Sequence, residues 1–361
     1  MKRSLLTAIS VFSVVLSIAC LNDYYSVDKD GELHEANPYE YERTLHKNFY
    51  VEGIASRLPE IHEKLEESGS YMDLSDYATN LMRLGKYELS KDILKALYEL
   101  HPDEYQLAAN LGTAYELCGE VDSALKYINR GIELNPESHQ GSEWVHVKIL
   151  EAKKEIEKNK NWLKHNTILG LTEEQESDDD VRSQLWIQLV ERFPFTPAND
   201  PMMADLLVDL GDCFSSTISV EYGLAYYEVS KFYHGNSSAA IDEKIKHANE
   251  LIEEYKNAKP NEKSSHGIVE RFDPIDYKDI MDEHDQEPEV EIAWDKINLD
   301  LDSLLGMIDE RPAPVKIVEE TIEGPSLGEG RKRVKNPYVK WILLAGGVIL
   351  VIVLYNWVRK K

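Results

Sequence analysis

Between Tyr71 and Ser138 the chain writes one pattern twice, offset by 34 residues. Tyr71 matches Tyr105, Ala78 matches Gly112, Leu81 matches Tyr115, and Gly85 matches Gly119. Ser90 matches Ala124, Leu94 matches Ile128, and Pro102 matches Pro136. A period of this length, with small residues at two fixed places and a closing Pro, specifies a tandem helix–turn–helix unit. The small residues let the two helices of a unit approach closely. The Gly ends the first helix at a positive φ, and the Pro breaks the chain before the next unit.

These motifs, Tyr77-Ala78, Leu81, Gly85-Lys86-Tyr87, Ser90, Leu94 and His101-Pro102, then Leu111-Gly112, Tyr115, Gly119, Ala124, Ile128 and Asn135-Pro136, resemble the tetratricopeptide repeat family. The fold class expected is all-α, a short solenoid of helix pairs. Repeats span 54–158, with clear units at 71–104 and 105–138. Ile54, Leu58, Ile61 and Leu65 follow helical spacing up to Gly69 and predict a helix covering the first unit. After Pro136, Val145, Ile149, Ala152 and Ile156 share one face of a further helix, but no closing Pro follows in phase. Residues 159–203 read as linker and helix, including the acidic run Asp178-Asp179-Asp180. The pattern then returns. Leu210-Gly211 stands where Leu111-Gly112 stands in its own unit, with Phe214 for Tyr115, Gly223 for Ala124 and Tyr227 for Ile128. Residues 204–258 are therefore a third unit plus a capping helix, since a terminal repeat needs a polar-backed cap.

The ends predict location. Lys2 and Arg3 precede an apolar run closing in Ser17-Ile18-Ala19, which reads as a secretory signal peptide over 1–19. Cys20 follows at once. Ser17-Ile18-Ala19-Cys20 looks like a degenerate bacterial lipobox, making Cys20 a lipidation candidate; ordinary cleavage after Ala19 is the alternative. Residues 20–53 read as a polar tether. Residues 339–358 are nearly all apolar, with Trp341, Tyr355 and Trp357 at their ends and Arg359, Lys360 and Lys361 beyond. This predicts a single C-terminal transmembrane helix. A cleaved signal peptide places the body outside the cytoplasm, in a bacterial periplasm. Arg331, Lys332, Arg333 and Lys335 then lie outside, against the positive-inside rule.

Residues 259–338 are acidic and proline-bearing, and predict a mostly disordered linker. Inside it Trp294, Ile297, Leu301, Leu304 and Ile308 are spaced by three and four, which predicts an amphipathic docking helix. Its seat is either the chain's own groove, which it would block, or another protein.

Chemistry is sparse. The 361-residue chain carries a net charge of −26, which argues against nucleic acid as a partner. No phosphate loop, nucleophile elbow or zincin His pair is present, so neither catalysis nor a cofactor or metal is expected. His139 and His146 lie seven apart, and the spacing suggests no carboxylate partner for them. The resemblance implies a concave groove, lined by the first helix of each unit, that binds peptides or other proteins. Its candidate residues are Met72, Ser75, Thr79, Met82 and Arg83, then Gln106, Ala109, Asn110, Thr113 and Glu116. Family members that clamp a C-terminal carboxylate use paired Lys, Asn and Arg. Here Ser75 and Thr79 occupy the Lys and Asn places and only Asn110 matches, which disfavours a chaperone-tail clamp. Three readings follow in order: a membrane-anchored extracytoplasmic scaffold, a cytosol-facing tail-anchored co-chaperone, and an enzyme whose site the sequence does not reveal.

Overall fold

The computed structural model describes residues 24–31, 33–36, 45, 51–255, 270–271, 276–281 and 292–308. The signal peptide, Cys20 and the apolar 339–358 stretch lie outside them. Among the described residues no helix is long and apolar enough to cross a membrane.

The body is an all-α array of helix pairs. α1 (Val51–Ser68) leads into α2 (Tyr71–Arg83) and α3 (Tyr87–Leu100), then α4 (Tyr105–Leu117) and α5 (Val121–Leu134), then α6 (Glu143–Lys158). α7 (Asp179–Arg192), α8 (Pro201–Thr217), α9 (Val220–Glu228) and α10 (Ala239–Glu254) complete it. Local chemistry sets several starts. The side chains of Ser70, Asp178, Asp200, Ser219 and Ser238 each accept a main-chain N–H in the first turn of the helix that follows. Pro201 takes the first helical position of α8, where a missing N–H costs nothing.

The two repeats end their first helices alike. Gly85 and Gly119 both have φ +81°. Lys86 N–H donates to the Leu81 carbonyl and Glu120 N–H to the Tyr115 carbonyl, both at 2.9 Å, the longer bond of a Schellman ending. The small residues act where the repeat predicts. A Cβ on Gly112 would lie 2.7 Å from Ile128 Cδ1, so α4 and α5 touch at that point. The third unit repeats the device with other residues: a Cβ on Gly211 would lie 2.4 Å from Tyr227 Cε1.

Two apolar clusters result. The first holds Leu58, Leu74, Tyr77, Leu81, Leu94, Leu97, Leu111 and Ile128. The second holds Leu185, Leu189, Phe193, Leu207, Leu210, Phe214 and Tyr226. α6 joins them: Val145, Ile149 and Ala152 belong to the second, Leu150 to the first. Each fully buried Leu or Phe contributes roughly 1.5–3 kcal/mol.

Three expectations need correction. The 20–53 segment is not merely a tether. β1 (Tyr24–Val27) pairs antiparallel with β2 (Leu33–Ala36), and Leu45 is fully buried in the second cluster. The Asp28–Gly31 turn supplies the hairpin, its Lys29 N–H donating to the Ser215 carbonyl at 2.9 Å. The 259–338 segment is not merely a linker. β3 (Glu270–Arg271) adds parallel to β1, Met281 is fully buried, and residues 292–308 pack on the first cluster. Its apolar residues, few as they are, complete surfaces that the helices leave open. Finally, the Trp294–Ile308 stripe is not one helix. Trp294–Lys296 forms a 3-10 turn, the chain extends, and α11 (Leu301–Leu305) starts afresh because Asp300 caps it.

Candidate functional site

The groove is lined by the inner faces of α2, α4 and α6, and α7 lies across its far side. Thr79, Met82 and Arg83 from α2 meet Ala109, Asn110, Thr113 and Glu116 from α4 around one cavity of about 280 Å³. His139, Glu143 and His146 approach from the α6 side; Ile187, Gln188, Glu191 and Arg192 come from α7. Seven of the ten candidate groove residues are therefore on one wall. The other three are not. Met72 and Gln106 point to solvent and Ser75 is buried.

The candidates were expected to be exposed, and Met82, Ala109 and Glu116 are buried. Met82 packs into the first cluster and Ala109 lies against Gly131 of α5, so both are covered within the helix pairs themselves. Glu116 is covered from outside its unit, by His146 and Lys153 of α6 and Arg192 of α7. α7 carries no repeat signature, so the sequence pattern gave no sign of that contact.

Glu116 is the hub. Its side chain is 3% exposed, and it meets three basic side chains: His146 Nε2 at 2.6 Å, Lys153 Nζ at 2.7 Å and Arg192 Nη1 at 2.5 Å. Burial alone would raise its pKa, but Arg192, His146 and Lys153 outweigh that and hold the carboxyl well below the usual carboxylate range. The chain of charge continues. Glu143 Oε1 meets His139 Nδ1 at 2.6 Å, and Glu143 Oε2 lies 3.6 Å from His146 Nδ1. Burial again pushes upward, and the hydrogen bond from His139 together with the nearby His146 ring brings Glu143 down to about 2. The hydrogen bond to Glu143 raises His139 above an ordinary histidine.

His139 reaches this position through an unusual backbone. His139 and Gln140 have φ of 47° and 60°, and Gly141 follows at 74°. Two consecutive non-glycine residues in the left-handed region cost of order 1–3 kcal/mol each, and such strain gathers at functional sites. Neighbours hold it. Gln184 Nε2 donates to the Gln140 carbonyl at 3.0 Å, and Trp144 Nε1–H donates to Gln184 Oε1 at 2.7 Å.

The sequence reading missed His139, Glu143, His146, Lys153 and Arg192. The expectation that the two histidines lack a carboxylate is wrong: Glu143 stands four after His139 and three before His146. That His-x3-Glu-x2-His spacing was available as a signal. Glu116 to Arg192 was not, because it bridges 76 residues.

The docking stripe lies elsewhere. Trp294, Ile297, Leu301, Leu304 and Ile308 pack against the first cluster, with Leu304 fully buried. α11 lies on α3, and Asn298 reaches His62 of α1. This is the face of α1 and α3, not the cavity lined by α2 and α4, so the stripe does not block the groove.

Among the described residues no group of three or more His, Cys, Asp or Glu side chains is placed to hold a metal. Compared with protein-family models and with curated proteins, the chain finds no match.

Proposed function

We propose that the chain is a tetratricopeptide-type scaffold that binds a peptide or another protein in the cavity between α2, α4, α6 and α7. One observation carries this reading: helices from both apolar clusters contribute polar side chains to a single concave site. Thr79, Arg83, Asn110, Thr113, His139 and Gln188 offer donors and acceptors around an apolar floor of Met82, Ala109 and Ile187. That mixture of a few oriented polar groups over apolar surface suits a ligand site. Binding is favoured over catalysis because Glu116, the most buried acid there, is held ionised by the basic side chains around it and is a poor base.

In this reading the body is extracytoplasmic and anchored by the C-terminal apolar segment, with a lipid on Cys20 as a second anchor if the lipobox is used. The support is the sequence pattern of the two ends. The test fills the cavity. Thr113→Trp should abolish retention of the proteins that the wild-type body captures from its envelope fraction, while leaving the helical spectrum unchanged. Equal retention by a folded Thr113→Trp body contradicts the reading.

A further inference from the structure

We propose that the α1–α3 face is a second peptide-binding seat, separate from the groove, whose resident ligand is the chain's own segment 292–308, held in cis and exchangeable. The segment sits like a bound peptide. Among the described residues its backbone-to-backbone hydrogen bonds are all internal. Its links to the body are side-chain anchors and one main-chain carbonyl. Leu304 is fully buried and Ile297 is 9% exposed, both inside the first cluster. Lys86 Nζ stands 4.0 Å from the centre of the Trp294 ring. Tyr77 Oη–H donates to the Asn298 carbonyl at 2.8 Å, and Asn298 Nδ2 lies 3.1 Å from His62 Nε2.

The segment is also shaped on its own. Asp300 N–H donates to Asn298 Oδ1 at 3.0 Å, and Ser303 N–H to Asp300 Oδ1 at 2.7 Å. These local bonds fix the turn that presents Ile297 and Leu304 together, so little ordering remains to be done on docking. The seat therefore reads a pattern: an aromatic residue over Lys86, an aliphatic residue three positions on, an Asn side chain against His62, a capping Asp, and a Leu anchor. A partner displaces the segment only by presenting that chemistry, since a cis ligand works at an effective concentration in the mM range.

The test uses the full chain and a fluorescent peptide of residues 292–308. Leu304→Asp in the chain expels the cis segment, because a carboxylate is not accommodated at a fully buried apolar position. The labelled peptide should then bind the Leu304→Asp chain at least about tenfold more tightly than wild type. A peptide carrying the same Leu304→Asp change should bind neither. Failure to bind a folded Leu304→Asp chain, or equal binding to both chains, overturns the proposal. Hydrogen exchange on the unaltered chain gives an answer that needs no variant. The Leu304 and Gly306 amides should open at least about tenfold more often than those of Leu81 and Leu94. Equal protection makes the segment a fixed part of the core and overturns the proposal as well.

Discussion

The two repeats and the α7–α10 half solve the same packing problem to different standards. Among the described residues, every buried side-chain nitrogen and oxygen of α2–α5 has a partner. In the second half Asp209 Oδ2 and both ring nitrogens of His234 have none. The acids differ in the same way. Glu116 is ringed by Arg192, Lys153 and His146. Asp209 is buried beside Asp205, Asp212 and Glu176, and burial followed by those like charges pushes its carboxyl well above the usual range. Glu116 is satisfied from outside its own repeat, by α6 and α7, whereas Asp209 sits among like charges that Lys244 does not offset. The helix crossings tell the same story. The first half closes with Gly against Ile, as at Gly112 and Ile128. The second needs two glycines back to back: a Cβ on Gly223 would meet Ser215 Oγ at 1.8 Å and the Gly211 carbonyl at 2.8 Å.

The sharpest break of this comparison is at those glycines. Gly223→Ala should cost about 3 kcal/mol or more, because main chain blocks it on one side. Gly112→Leu should be comparably severe, while Gly112→Ala should cost less, about 1–3 kcal/mol, since its two shortest contacts are to the Ile128 side chain, which can shift, and the Ile128 main-chain nitrogen lies further off at 3.0 Å. Urea unfolding measures all three; a Gly112→Ala cost matching that of Gly223→Ala would erase the distinction.

Glu116→Gln comes next. It leaves Arg192 and Lys153 without their shared counter-charge and should cost about 2–3 kcal/mol at pH 7. A lowered carboxyl stabilises fully above its unfolded value of 4.5 and loses that contribution as pH falls through its folded value. The gap between wild type and Glu116→Gln should therefore begin to narrow just below pH 4.5 and go on narrowing with further acid, which chemical denaturation at pH 7, pH 4 and pH 3 can follow.

His234 gives the opposite half its own pH signature. Burial lowers it from 6.5 to about 4, outweighing the opposing charge of Asp200. A neutral buried His favours the fold above its unfolded value and loses ground as pH falls from 6.5 towards 4. His234→Phe should remove about 1–3 kcal/mol of that acid loss. Identical acid limbs in the two proteins would show that His234 is protonated in the fold without penalty.

The smallest effects belong to the repeat turns. A Cβ on Gly85 or Gly119 meets nothing within 4 Å, so Ala there carries only the left-handed backbone cost, about 1–2 kcal/mol at each site. Unequal costs at the two turns would show that the repeats are less alike than their hydrogen bonds.

Much of the helix array could be read from the chain, because Gly112, Gly119, Ile128 and Pro136 carry local packing rules that recur in phase. Even the Gly211–Tyr227 contact was visible as a copy of Gly112–Ile128. The groove wall from α2 and α4 was legible for the same reason. Its other wall was not. Gln188 and Arg192 reach the cavity through a helix that obeys no repeat, and no local pattern pairs Glu116 with Arg192. The β1–β2 hairpin escaped because each strand is four residues long, too short to show a period. The stripe at Trp294 carried the right apolar residues, but the Asp300 cap divides it and Tyr77 and His62 place it on the α1–α3 face.

The central claim is that the cavity between α2, α4, α6 and α7 is where this chain meets its partner. Site-specific photo-crosslinking in the native host tests it most directly. A photoreactive residue replacing Thr113 on the cavity wall should give a discrete protein adduct, and one replacing Asn129 on the exposed side of α5 should give none. Adducts from Asn129 with none from Thr113 would contradict the account.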